Sequence, residues 1–178
     1  MSYPLDFANV HLEFTDDKSK KFYNASLVGN AEGKAIVVKR WGKIGVIGEM
    51  KVESFPTLAK AEKEYESIVS SKLRKGYERQ RGDTKQITNE TAFRMAIGPA
   101  VWPKLPPGPL VHIVPDMDVS GRRELDPARF SEDGKYLGEP AARVFSKTEI
   151  AAARERERQA EQAEAVKAYA NNSNFGRF

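Results

Sequence analysis

The sequence predicts an α+β fold: a small antiparallel β-sheet with one amphipathic helix packed on it, followed by an extended proline-rich arm and a charged C-terminal helix. Three observations lead there. Short runs rich in β-branched and aromatic residues alternate with glycine-containing turns up to Phe55. Between Leu58 and Lys75 the apolar period changes to three and four, the spacing of a helical stripe. Eight of the ten prolines then fall between Pro99 and Pro140. Because proline lacks a backbone N–H and disfavours helix at the residue before it, that stretch reads as extended.

Taken in order, Val10–Phe14 and Phe22–Val28 are the first strands. Gly29-Asn30-Ala31-Glu32-Gly33 is a hairpin loop, since glycine supplies positive φ at both ends. Ala35-Ile36-Val37-Val38 is the strongest strand signal and continues to Trp41. Gly42 and Gly45 bracket a turn before a last strand from Val46 to Val52, which completes a meander. The helix that follows carries Leu58, Ala61, Tyr65, Ile68, Val69 and Leu73 on one side. Thr57 is placed to cap it, Lys72, Arg74 and Lys75 crowd its last turn, and Gly76 is placed to end it. Residues 1–85 form this first domain.

Residues 86–145 read as the arm. It opens with a short helix capped by Thr88 or Asn89 and stopped at Gly98-Pro99, continues as a polyproline-like segment through Leu110, and adds an edge strand at Val111–Val114. Trp102, Leu105, Leu110 and Ile113 are apolar with little neighbouring sequence to build a core. They pack either back on the first domain or on another molecule; the second reading makes them a partner-binding surface. Residues 146–170 are a charged helix opened by the capping box Ser146-Lys147-Thr148-Glu149, with a thin apolar stripe through Ile150, Ala153, Ala160, Ala163, Val166 and Ala170. Residues 171–178 read as a flexible tail.

Composition narrows the function. The chain has 178 residues, no cysteine and two histidines, His11 and His112. That removes cysteine nucleophiles, thiolate metal centres and disulfide scaffolds, and leaves no metal or cofactor expected. Asp116, Asp118, Asp126, Glu132 and Asp133 lack metal-loop spacing and read as solvated loop charge. Ser120-Gly121-Arg122-Arg123 reads as surface charge. His112 has no nucleophile or base nearby, so no enzyme is expected. No apolar run approaches a membrane span, and the first residues lack the pattern of a signal peptide, so an intracellular protein is expected, cytoplasmic or nucleoid-associated.

The formal net charge of +4 is unevenly placed: residues 1–85 hold 16 Lys+Arg against 12 Asp+Glu, and residues 86–178 hold 13 of each. Lys34, Lys39, Arg40 and Lys43 lie in one stretch without an acid, and Lys72, Arg74, Lys75, Arg79 and Arg81 form a second cluster broken by Glu78. Clustered cations suit backbone phosphates, and an aromatic beside them can stack on a base or sugar. Strand alternation puts Lys39 and Trp41 on one face and Arg40 on the other. Trp41 itself reads either as hairpin packing or as a stacking platform.

Lys21-Phe22-Tyr23, the strand Ile36-Val37-Val38, Trp41-Gly42-Lys43-Ile44-Gly45, Phe55, the following helix, and Lys72 with Lys75-Gly76-Tyr77 come in the order found in WGR domains, which residues 8–80 resemble. The resemblance implies contact with DNA near a strand end, with Trp41 as the stacking residue and Gly42 as a position of close approach. Lys43 stands where the family prefers arginine, so it implies a single phosphate contact and not a two-pronged one. The expected site is thus Lys39, Arg40, Trp41, Gly42, Lys43, Lys72, Arg74 and Lys75. The expected function is a non-catalytic accessory protein that binds DNA, or RNA, through this domain, and binds a protein partner or another copy of itself through residues 98–170. The alternative is an assembly subunit whose WGR-like surface contacts protein.

Overall fold

The computed structural model describes residues 3–138 and 147–170. They divide into two units, Met1–Gly138 and Glu139–Phe178. In the first, five strands form one antiparallel sheet: β1 (Leu5–Thr15), β2 (Lys20–Gly29), β3 (Ala35–Lys43), β4 (Glu49–Phe55) and β5 (Glu78–Ile87). Their order across the sheet is β4-β3-β2-β1-β5. Helix α1 (Leu58–Arg74) carries the chain from one edge, β4, to the other, β5.

Each face of the sheet is covered, which explains why β2 and β3 read as continuous apolar runs and not as alternating ones. Val10, Leu12, Tyr23, Ala25, Val37 and Trp41 point to α1, where they meet Ala61, Tyr65, Ile68 and Val69. Leu5, Phe7, Val28, Ile36 and Val38 point the opposite way. The expected bounds of α1 hold: Thr57 accepts from the Lys60 amide, and Gly76 takes φ 86°, which glycine reaches without a Cβ clash.

The region after residue 85 departs from expectation. Position 85 falls inside β5, and residues 86–138 belong to the same compact unit as the sheet. Helix α2 (Glu90–Ile97) is capped by Asn89, as expected, but the proline-rich stretch is not an extended arm. It forms a 3₁₀ turn at Trp102–Lys104 and a helix, α3 (Pro107–Ile113), in place of the expected edge strand at Val111–Val114. Pro107 and Pro109 sit in the first turn of α3, where backbone N–H groups have no intrahelical acceptor and proline loses nothing.

Trp102, Leu105, Leu110 and Ile113 are consequently core, not a partner surface. All four are buried against Phe7, Val28, Ile36, Val38 and Phe93, on the face opposite α1. Two polar ties fix them. Asn30, in the β2–β3 loop, donates to the Ile113 carbonyl at 3.0 Å, and Arg122 donates to the Trp102 carbonyl at 2.6 Å while its guanidinium lies 4.6 Å from the Trp102 ring centroid. Arg122 is therefore structural, and so is His112, whose Nε2 donates to the Phe55 carbonyl at 2.8 Å.

The second unit contains helix α4 (Lys147–Ala170), whose described side chains are all exposed. The capping residue Ser146 and the tail 171–178 lie outside the described residues.

Candidate nucleic-acid interface

In this antiparallel sheet the ends of β1 and β3, the starts of β2, β4 and β5, and the C-terminus of α1 all meet at one end. Register brings Lys21 opposite Lys43, and Ile44 N–H bonds the Lys20 carbonyl at 3.1 Å. Lys18, Lys20, Lys43, Arg74 and Lys75 are exposed there, and Asp16, Asp17, Glu49, Glu78, Glu132 and Asp133 are acids of the same end. The two cationic clusters of the sequence thus meet through Lys43 and the end of α1, joined by Lys20 and Lys21, which had not been singled out as cations.

Trp41 lies at the centre of this end but is 6% exposed. Its ring stacks on Tyr23 at 6.3 Å with an interplanar angle of 13°, and its Nε1 donates to the Phe130 carbonyl at 3.0 Å. Trp41 thus packs the hairpin and lines the edge of a cavity. The cavity, of about 360 Å³, is lined by Phe22, Trp41, Gly42, Lys43, Tyr77 and Phe130 among others.

Lys39 shares the Trp41 face, as alternation required, and is only 5% exposed. Its ammonium is ion-paired with Glu53 of β4 and with Glu64 of α1, the latter at 2.7 Å. Burial lowers the Lys39 pKa, but hydrogen bonds to the two carboxylates outweigh it and the net shift is upward. A lysine committed to two carboxylates inside the domain does not reach a phosphate. Arg40 points to the other face, half-buried over the Phe22 ring at 5.3 Å, and burial lowers its pKa. It is separated from Trp41 by the thickness of the sheet.

The close approach expected of Gly42 is internal. A Cβ there would lie 3.0 Å from the Gly48 Cα, and a Cβ on Gly48, at φ 79°, would lie 2.3 Å from the Trp41 carbonyl oxygen. The two glycines let the β3–β4 turn fold tightly beneath the tryptophan. The turn exposes Ile44, Val46 and Ile47 beside Lys43.

At the end of α1 the cations have different fates. Arg74 is exposed, and Lys75 is exposed but paired with Asp133 at 2.6 Å, which holds the Asp133 carboxyl below its ordinary value. Lys72 is 2% exposed. Its ammonium sits 4.4 Å from the Tyr23 ring centroid and pairs with the Glu132 carboxylate at 3.2 Å. Glu132 and Asp133, expected to be solvated loop charge, are instead the partners of this basic helix end. They belong to a tight loop closed by the Phe130–Tyr136 bridge, the Gly134 amide bonding to Ser131 and the Leu137 amide to Arg129. Sequence reasoning missed Phe130, Glu132 and Asp133 as parts of this site. Their pairing with residues 58 to 89 positions away leaves no local pattern, and Ser-Glu-Asp-Gly signals only a turn. Among the described residues, no group of three or more His, Cys, Asp or Glu side chains is placed to hold a metal ion.

Comparison with known proteins bears on this end of the sheet. The family model described as the WGR domain matches residues 8–84. Protein YehF of Escherichia coli is 31% identical over 81 residues, covering 46% of this chain and 28% of its own length, so the chain spans little more than a quarter of that relative. A crystal structure of a Bacteroides fragilis protein matches at 29% identity over 41% of this chain and 19% of its own, with a TM-score of 0.34. The strand carrying Trp41-Gly42-Lys43, the helix after it and the Gly76-Tyr77 segment all fall inside the matched range, and residues 8–84 are a WGR domain.

Proposed function

We propose that the chain is a non-catalytic accessory protein that binds nucleic acid, DNA first, through the cationic sheet end of its WGR domain. The observation that carries this reading is the convergence of Lys18, Lys20, Lys43, Arg74 and Lys75 from separate elements at one end of the sheet, where Lys21 and Lys43 line the Trp41 cavity. WGR domains often bind nucleic acid, and phosphates need such clustered cations. Lys39 and Arg40 leave the proposed contact set, and Lys18, Lys20 and Lys21 join it. With Trp102, Leu105, Leu110 and Ile113 in the core, contact with a protein partner or a second copy falls to the exposed helix α4. A second reading, in which the sheet end meets protein, is favoured by the exposed aliphatic trio Ile44, Val46 and Ile47.

Fluorescence anisotropy of a labelled duplex, followed from low to moderate salt, tests the first reading. Log affinity should fall by about 0.9 per contacted phosphate for each decade of salt. The double substitution Lys43→Glu, Arg74→Glu changes only exposed side chains and should weaken binding roughly tenfold or more at low salt. Affinity that is flat in salt and unmoved by the double substitution would turn the assignment toward protein.

A further inference from the structure

The loop that covers the WGR tryptophan is fastened differently from the rest of the second half of this unit. Trp102, Leu105, Leu110 and Ile113 are sunk in the core, but Phe130, Tyr136 and Leu137 are 45%, 54% and 56% exposed. The two aromatic rings lie tilted against each other, 5.4 Å apart with 60° between their planes, and bury little against the domain. What ties the loop down is polar: Phe130 O to the Trp41 indole, Glu132 to Lys72 through both its carboxylate and its carbonyl, and Asp133 to Lys75. The Lys75–Asp133 pair is exposed, and such pairs are weak and screened by salt, whereas Lys72 is buried. The loop also keeps its own shape through the Ser131, Gly134 and Leu137 amide bonds, so it can lift as a unit.

Tyr23 is buried beneath the loop, and burial together with the Glu132 carboxylate pushes its hydroxyl upward in pKa. The closed loop thus sets the Glu132 carboxylate and carbonyl against the Lys72 ammonium, the place a phosphate would take. Arg129 and Lys135 flank the acidic tip, so the competition is local, carboxylate against phosphate for the same lysines.

We propose that the Phe130–Gly134 loop is an internal competitor for the nucleic-acid face: Glu132 and Asp133 occupy Lys72 and Lys75, and a phosphate backbone engages those lysines and Trp41 only when the loop lifts. This rests on the proposed nucleic-acid reading of the same end. It makes the full chain a self-restrained binder, whose affinity is set by the balance between its own carboxylates and the ligand's phosphates.

The test compares the full chain with Glu132→Gln, Asp133→Asn in binding to a short fluorescein-labelled duplex at low salt. A control, Glu62→Gln, Glu66→Gln, removes as much charge from exposed positions elsewhere on α1. The loop variant should bind about five- to tenfold more tightly than the control. A loop variant no tighter than the control overturns the competitor and leaves the nucleic-acid reading standing. If neither the chain nor the loop variant binds duplex at any salt, both fall together.

Discussion

Lys39 and Glu53 show how much a single pair can decide at the centre of this sheet. The Lys39 ammonium sits between two carboxylates on the α1 face, and Lys51 reaches Glu53 from the same strand at 2.7 Å. Burial raises the Glu53 pKa, but hydrogen bonds from Lys39 and Lys51 outweigh it and the net shift is downward. A carboxyl depressed in the folded state adds stability above its ordinary value of about 4.3, and that stability is lost as pH falls through the folded pKa. Glu53→Gln should therefore flatten the acid limb of a plot of Tm against pH below about 4.3, at the expense of a lower Tm at neutral pH. A variant with the same acid slope as the parent would show that the pair does not contribute. The facing of these residues was legible, because a strand period of two can be read from Lys39, Arg40 and Trp41 alone. The ion pairing was not: Glu53 and Glu64 are ordinary surface-type residues in sequence, and only the packing of α1 over β3 and β4 brings them together.

Among the elements, α3 is the one whose sequence misleads most and whose packing matters most. Pro106-Pro107-Gly108-Pro109 argues for an extended chain, yet prolines within the first helical turn cost no hydrogen bond. What decides is burial: Leu110 and Ile113 are three apart, and both enter the core on Ile36 and Val38. Leu110→Ala should cost about 2–5 kcal/mol, the range for deleting a buried leucine, measured by urea denaturation. A loss below ~1 kcal/mol would mean that α3 is peripheral. By contrast α1 and its Thr57 cap were readable in full, because a long amphipathic period and its end signals are local. Strand β5 was not, since Glu78–Ile87 is polar at nearly every position and exposed up to Ile87. It is a strand because β1 offers it a partner, not because its side chains ask for one.

For the whole molecule, the matched range 8–84 and the folded unit differ in extent. The WGR motif, helix and sheet lie in the matched range, but Ile87, Phe93, Trp102, Leu105, Leu110 and Ile113 cover one face of that sheet from beyond it. A fragment ending at residue 84 would bare Phe7, Val28, Ile36 and Val38. It should be recovered as aggregate or bind a dye such as ANS, where residues 1–138 stay monodisperse by size-exclusion chromatography. A soluble, cooperatively melting 1–84 fragment would show that the cover is dispensable.

The strand order has a further consequence for how the chain reaches this state as it is made. β1 is the first strand to appear, and it pairs with β2 at once through a short turn, yet its other edge is answered only by β5. Until Glu78–Ile87 has left the ribosome, a row of unpaired β1 amides and carbonyls faces the cell. Closing Leu5 against Ile87 then spans nearly half the chain. Such long-range closure is slow, and an open edge is a template for another strand. The interval between the two strands is when a nascent chain of this protein is most exposed to pairing with its neighbours on a polysome.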